Sequence, residues 1–159
     1  MTISTRLDSY FNEHDITYQA LAHFPSNNSI SSAITANIPL KQIAKAVLLK
    51  DHQDRKMMAI LPANNKISLS ALNEELQGSY QLVKEKEVYR MFADCEHGAV
   101  PPVGAAYNMA MVCDEQLDKL DKVYIEAGDH KTLLCIDHQN FEAMMAHVQH
   151  LKFSHEVFH

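Results

Sequence analysis

The chain has 159 residues, of which 47% are hydrophobic and 21% are charged, and its net charge is −6. This length and composition are typical of one globular domain spanning 1–159, with no apolar run near the ~20 residues that cross a bilayer. The acidic balance argues against a protein that binds DNA or RNA through bulk positive charge, but it allows a local pocket for one strand end.

The sequence of the first residues and the spacing of the cysteines both bear on the cellular compartment of the protein. Residues 1–15 contain no basic region followed by an apolar stretch, so no secretory signal is predicted. Cys95, Cys113 and Cys135 are odd in number, lie far apart and form no CxxC pair. We therefore expect reduced, mostly buried thiols in a cytoplasmic protein.

Helical and strand patterns alternate along the first half of the chain. Apolar residues at helical spacing predict an amphipathic helix over 2–13. A loop of turn-forming residues at 25–32 leads into a short helix over 32–38 with a serine cap, and Pro39 is well placed to begin the next helical turn. The strands predicted in this half are 16–24, 44–50 and 56–63, the last two forming a hairpin through 51–55.

The sequence of the second half of the chain predicts more strands than helices. Ser68 is a suitable cap for a helix over 68–77, and Gly128 marks a tight turn between two strands. The apolar pattern of 138–150 predicts the last helix. The other elements predicted here are a short helix at 85–93 and strands at 80–83, 108–117, 122–128 and 131–137. Because several strands are joined as hairpins, we predict an α+β domain with a mixed sheet rather than a doubly wound parallel one.

Lys45 is the first candidate functional residue. It lies inside the apolar run IAKAVLL, where a charged side chain must reach solvent, pair with an opposite charge or point into a cavity. A second interpretation stays open, in which Lys45 simply faces outward where a helical turn meets a strand. Lys41 and Lys50 are explained more simply as solvated charges at the ends of elements.

The segment HGAVPPVG at 97–104 places two of the four glycines around two consecutive prolines. Pro101 and Pro102 donate no backbone hydrogen bond, which excludes an interior strand. Gly98 and Gly104 permit close approach or unusual backbone angles. We predict a stiff loop, which either lines a ligand pocket with its backbone groups or is a rigid connection.

Histidines are numerous, with ten in the chain. His130 follows a predicted strand and projects either into solvent or into a pocket. His147 and His150 are three residues apart on the predicted last helix and are interpreted as part of its solvated face. Neither HExxH nor zinc-finger spacing occurs, so no metal and no cofactor is predicted, and a metal-binding protein using this end of the chain is kept as an alternative. Cys95 and His97 do not by themselves indicate a nucleophile and its base.

Four segments occur in the order and approximate spacing of a known family: IAKAVLLKD, LPANNKISLSALNEEL, GAVPPVG and VYIEAGDHKTLLCI. Through them the chain resembles the YbaK/prolyl-tRNA synthetase-associated domain family, the free-standing relatives of the editing domain inserted in bacterial prolyl-tRNA synthetases. The likeness runs from about residue 16 to 150. It implies a single compact α+β domain with a mixed, strongly bent sheet surrounded by helices. It also implies an aminoacyl-tRNA deacylase, which hydrolyses the ester between a wrong amino acid and its tRNA.

The resemblance also implies site residues. Lys45 matches the lysine with which the family binds the 3′ end of the substrate. Gly98 and Pro102 match the two ends of the family's GxxxP loop and join Lys45 as the implied catalytic residues. The implied substrate-binding residues are Ala46, Ala99, Val100, Pro101, Gly104, Gly128 and His130.

Two positions depart from the cysteine-clearing branch of the family. Some members carry a threonine where this chain has Ala46, and a serine is common where this chain has Glu126. Both departures concern the substrate of that branch rather than the fold.

The implied mechanism rests on positioning, because an aminoacyl ester is already activated. We expect Lys45 to contact the terminal phosphate or ribose, and backbone groups of 98–102 to hold the carbonyl while a ribose hydroxyl activates water. The implied partners are the acceptor end of an aminoacyl-tRNA and a synthetase that presents it, with no membrane and no DNA. Two other classes remain: a non-catalytic module that binds tRNA or a synthetase, and a binder or hydrolase of small nucleotide or amino-acid derivatives.

Overall fold

Helices are interspersed among runs of consecutive strands in the computed structural model, which describes residues 3–22 and 38–157. The α-helices of the described part are α1 (Thr5–His14), α2 (Leu69–Leu76), α3 (Glu85–Met91) and α4 (His138–Met144). Its strands are β1 (Gln19–Ala22), β2 (Ala44–Lys50), β3 (Lys56–Pro62), β4 (Asn65–Ile67), β5 (Gln81–Leu82), β6 (Ala110–Asp114), β7 (Lys122–Glu126), β8 (Thr132–Asp137), β9 (Gln149–Leu151) and β10 (Ser154–Glu156). Short 3-10 turns lie at Leu40–Gln42, Gly104–Tyr107 and Glu115–Leu117.

Short polar side chains cap three of the four described α-helices, α1, α2 and α4. The Ser68 hydroxyl accepts a hydrogen bond from the Ala71 amide, which confirms the cap predicted for α2. Ser4 does the same for α1, and the Asp137 carboxylate does so for α4. Each cap satisfies an amide that has no partner within its own helix.

Hydrogen bonding divides the strands into three sheets. The largest is mixed, with the order β5-β2-β3-β6-β9, in which the β2–β3 hairpin is antiparallel and β3, β6 and β9 are parallel. A second sheet has the order β1-β8-β7, and a third pairs β10 with β4. A parallel bridge between Ile43 and Tyr124 connects the first two sheets. The predicted α+β class with a mixed sheet is confirmed, and its strands form several sheets rather than one.

The main core lies between the first two sheets and is closed by α1 and α4. Leu7 and Phe11 of α1 and Phe141 of α4 are buried there against strand residues such as Ile60 and Ile125. A smaller cluster covers the other face of the five-stranded sheet, where α2 contributes its buried leucine. Among the described residues, no helix is long and apolar enough to cross a membrane.

The last predicted helix is too long. It ends at Met144, and Gln149–Leu151 instead forms β9, which lies parallel to β6. His147 therefore lies beyond the helix and His150 is on a strand, so the predicted solvated helix face is wrong. The reason is that Gln149, His150 and Leu151 pair in register with Val112, Cys113 and Asp114 of β6, a long-range contact that helical periodicity does not reveal. The loop predicted at 25–32 and the helix predicted after it, up to residue 37, lie outside the described residues.

A buried carboxylate holds the end of the described chain in place. Asp114, at the end of β6, is fully buried and accepts hydrogen bonds from the Ser154 hydroxyl at 2.6 Å and the Phe153 amide at 3.2 Å. It also accepts from the amide and the side chain of Gln116. This network attaches β10 to the sheet, since a buried carboxylate is tolerated only when its oxygens are satisfied.

Replacing Asp114 with alanine should lower the free energy of unfolding by about 2–4 kcal/mol, because several buried donors lose a charged acceptor. Chemical denaturation measures this loss. Ser154→Ala is the control, since it removes one hydroxyl and should reduce the stability by about 1 kcal/mol. An Asp114→Ala protein as stable as the wild type would contradict this role.

Candidate active site

A cleft of about 550 Å³ opens between β2, α3 and the loop at 97–104. Its walls are mainly aliphatic, and they come from Ala46 and Leu48 of β2, Val83, Val88 of α3 and Val100 of the loop. Its polar groups are those of Lys45, Glu85 and Tyr89. An apolar cleft with a few polar groups at its rim is the usual form of a small-molecule site.

Lys45 lies near the beginning of β2, opposite Leu61 of β3 in the hairpin register. Its side chain is half-buried and lines the cleft. Of the two alternatives left open by the sequence, the structure thus places Lys45 at a cavity rather than facing outward. Burial lowers the pKa of Lys45, and no carboxylate in the described part of the chain offsets that effect. The cleft therefore contains an ammonium group that is available to an anionic ligand.

The loop at 97–104 faces Lys45 across the cleft. Gly98 and Val100 line the cavity, whereas Ala99, Pro101 and Pro102 are buried behind it. Gly98 adopts φ 84°, a left-handed conformation that other residues resist. The amides of Gly98 and Val100 have no acceptor among the described residues, and both residues line the cavity.

The turn between β7 and β8 fixes this loop from behind. The Glu96 amide donates to the Gly128 carbonyl at 2.7 Å, and the His130 Nε2–H donates to the His97 carbonyl. His130 is buried, and its Nδ1 has no partner within the described ranges. His130 and Gly128 thus contact the loop rather than the cavity, and His130 is neither in solvent nor in the cleft.

Further contacts hold the two ends of the loop. The His97 ring stacks on Tyr89 of α3, with centroids 3.6 Å apart and planes 4° from parallel. At the other end, Gly104 is buried and its amide donates to the sulfur of Met111 at 3.0 Å. The loop is therefore attached to α3 and to β6 as well as to the β7–β8 turn.

A buried polar cluster lies under the same loop. The Ser4 hydroxyl lies 2.7 Å from the Tyr107 hydroxyl, and the Ser4 amide donates to the Ala127 carbonyl. The Cys95 thiol lies 3.4 Å from the Tyr107 hydroxyl, and burial raises its pKa to about 11. A thiol with that pKa is protonated at neutral pH, which argues against Cys95 as a nucleophile.

The structure thus brings together four of the residues predicted from the sequence: Lys45, Ala46, Gly98 and Val100. The other predicted residues lie behind or beside the cleft lining and are Ala99, Pro101, Pro102, Gly104, Gly128 and His130. Sequence reasoning missed the contributions of Leu48, Val83, Glu85, Val88 and Tyr89. These are ordinary strand and helix residues, and only the fold places them at the cavity.

The sequence from residue 25 to 143 matches the model of the aminoacyl-tRNA editing domain, and the chain belongs to this family. The resemblance seen in the sequence is thereby confirmed. No curated protein sequence matches the chain.

Several solved structures share the fold. A "hypothetical protein" has a TM-score of 0.82 at 18% identity, with 94% of this chain and 99% of that chain covered. A "putative trans-editing enzyme for prolyl tRNA synthetase" has a TM-score of 0.79 at 16% identity, with 96% of each chain covered. A "putative signal transduction protein" from Marinobacter aquaeolei has a TM-score of 0.76 at 20% identity, with 94% of this chain but 30% of that chain covered. These likenesses show the α+β fold.

Replacing Lys45 with methionine should preserve or raise the melting temperature at neutral pH, because the native state holds a partly desolvated charge there. The wild type should gain stability relative to this variant as the pH rises through the lowered native pKa of Lys45. In that range the unfolded chain binds more protons than the native protein. Thermal unfolding between neutral and alkaline pH measures both effects, and a large loss of stability at neutral pH would contradict the cleft environment described for Lys45.

Proposed function

We propose that this protein is a trans-editing hydrolase, an aminoacyl-tRNA deacylase that removes a wrongly attached small amino acid from tRNA. The observation that carries the proposal is that the half-buried Lys45, which has no carboxylate partner within the described ranges, lines one apolar cleft together with Gly98 and Val100, whose amides donate to no described acceptor. Membership in the editing-domain family and the shared fold support the same reaction class.

Each group then has a role that fits its chemistry. The Lys45 ammonium binds the terminal phosphate or the adjacent ribose, where it neutralises negative charge. The Gly98 and Val100 amides are donors for the ester carbonyl and for the oxyanion that forms during hydrolysis. Glu85 lies at the rim and is exposed, so water activation is assigned to a ribose hydroxyl of the substrate itself.

The aliphatic walls select the amino acid by size. The backbone of Gly98 leaves space that a side chain would fill, and the buried Pro101 and Pro102 restrict movement of the loop. A pocket of this kind excludes large correct amino acids by steric clash and accepts small wrong ones, as in a second sieve.

The proposed partner is the 3′ acceptor end of an aminoacyl-tRNA, presented with or without a synthetase. The net charge of −6 is compatible with this partner because the contact is confined to the strand end. The proposal places the protein in the cytoplasm as a factor of translation fidelity.

Lys45→Ala should reduce deacylation at least about tenfold, because it removes the charge that positions the substrate. Purified protein is mixed with tRNAs charged with alanine, serine, cysteine, threonine or proline, and loss of each ester is followed over time. The control is Lys66→Ala, which removes an exposed lysine on β4 and should leave the rate unchanged. Wild-type turnover by a folded Lys45→Ala protein would contradict the role of Lys45. Binding of all five tRNAs without hydrolysis would favour a non-catalytic module.

Gly98→Leu should block the cleft and abolish selective turnover while Lys45 is still present. Both leucine and alanine are strained at a φ of 84°, but only leucine adds bulk that reaches into the cavity. Gly98→Ala is therefore the matched control, and it should keep more of the deacylation activity than Gly98→Leu. Unchanged turnover and substrate choice in Gly98→Leu would count against the loop as a cavity wall.

A further inference from the structure

A second group of chemically active side chains lies away from the editing cleft. Cys113 of β6, Asp118 after the third 3-10 turn, and His150 of β9 bring a sulfur, a carboxylate and a ring nitrogen within 4.8 Å of one another. Cys113 and His150 are direct partners in the parallel pairing of β6 with β9. Neighbouring strand positions in register present their side chains on the same face of the sheet, so the fold itself brings these two together.

The hydrogen bonds of His150 determine which ring nitrogen carries its proton. Nε2 lies 2.8 Å from the Met145 carbonyl oxygen, which can only accept, so Nε2 is the donor. Nδ1 lies 2.9 Å from both carboxylate oxygens of Asp118. In the neutral ring, Nδ1 then has a lone pair that faces a carboxylate, which is repulsive unless a proton or a metal cation lies between them.

We propose that Cys113, Asp118 and His150 form a binding site for a divalent metal ion of the zinc class. Thiolate sulfur, imidazole nitrogen and carboxylate oxygen are the donor atoms that Zn²⁺ takes in proteins. The bond from Nε2 to the Met145 carbonyl is the outer hydrogen bond that a metal-binding histidine usually makes, and it orients Nδ1 toward the ion.

The surroundings suit a metal ion that has three protein ligands and a fourth coordination position open to solvent. A cavity of about 420 Å³ is lined by Asp118 and His150, and His138 and Glu142 stand at the same cavity. Cys113 is fully buried on the inner side, so the ion would be enclosed by protein there and open to solvent on the other side. Tetrahedral coordination places donor atoms roughly 3.5 Å apart. His150 Nδ1 and an Asp118 oxygen, now 2.9 Å apart, would therefore separate slightly, and the Cys113 sulfur, within 4.8 Å of them, would turn toward the ion.

Coordination would change the state of the thiol. Burial raises the pKa of Cys113, so without a cation the thiol stays protonated at neutral pH. Metal binding would release that proton, as it does at other thiolate sites. The ion would connect β6 to β9 and to the 3-10 turn, and it would thereby stabilise the edge of the five-stranded sheet opposite β5.

The competing description is a simple ion pair between a protonated His150 and Asp118, which needs no metal. A titration separates the two. The full chain is stripped with a chelator and then titrated with Zn²⁺, and both the heat of binding and the melting temperature are measured. We expect about one equivalent to bind, and we expect Cys113→Ser and His150→Gln each to weaken binding at least about tenfold. Asp118→Asn changes a partly exposed ligand and should also weaken Zn²⁺ binding, so it tests the site even if a buried variant fails to fold.

Matched controls come from the same chain. Cys135→Ser and His147→Gln remove a thiol and an imidazole outside the cluster and should leave binding unchanged. Co²⁺ in place of Zn²⁺ should give thiolate-to-metal charge-transfer absorption that Cys113→Ser abolishes and Cys135→Ser retains. Absence of Zn²⁺ binding, absence of the thiolate absorption, or equal weakening by the control variants would overturn the site and leave the ion pair.

Discussion

The candidate site depends on how one short loop is held opposite one lysine. Two hydrogen bonds join the β7–β8 turn to this loop: the Glu96 amide donates to the Gly128 carbonyl, and the His130 ring donates to the His97 carbonyl. Through them the second sheet fixes the loop against the first. Lys45 stands on the first sheet, and the bridge between Ile43 and Tyr124 lies just before it. Without these links the two walls of the cleft would have no fixed distance between them. Positioning of this kind is the main contribution that an enzyme can make to the hydrolysis of an activated ester.

In the cleft, a group that would serve ligand binding also lowers the stability of the native state. The half-buried Lys45 ammonium, which has no carboxylate partner in the described part of the chain, disfavours the native state. By contrast, the buried carboxylate of Asp114 accepts four hydrogen bonds. The Lys45 ammonium therefore lacks a partner from the described residues at the place where a ligand would supply one, which is typical of functional sites.

Much of the fold was predictable from the sequence because local signals agreed with the tertiary structure. The Ser68 cap, the β2–β3 hairpin and the α3 helix each follow from patterns within a few residues. The end of α4 was not predictable in this way, since 145–150 keeps a helical composition although Gln149 and His150 pair with β6. That pairing joins positions far apart in sequence, and periodicity carries no information about it.

The site was only partly predictable for the same reason. Lys45 and the glycine-proline loop are unusual in composition and could be selected from the sequence. His130 could be selected too, but its contact with the loop backbone depends on the turn between β7 and β8. Ser4 and Tyr107 give no signal in the sequence, because their contact under the loop joins α1 to a distant 3-10 turn. The pairing of Cys113 with His150 was hidden as long as His150 was placed on a helix.

A structure of the protein with a non-hydrolysable analogue would test the central claim most directly. The analogue is the 3′-terminal adenosine of tRNA with its 5′ phosphate, joined to alanine through an amide in place of the ester. We predict that the carbonyl oxygen accepts hydrogen bonds from the Gly98 and Val100 amides, with the phosphate or ribose at Lys45 and the methyl group against Ala46. Binding of the analogue elsewhere, or in the cleft with the carbonyl turned away from the loop, would contradict the account.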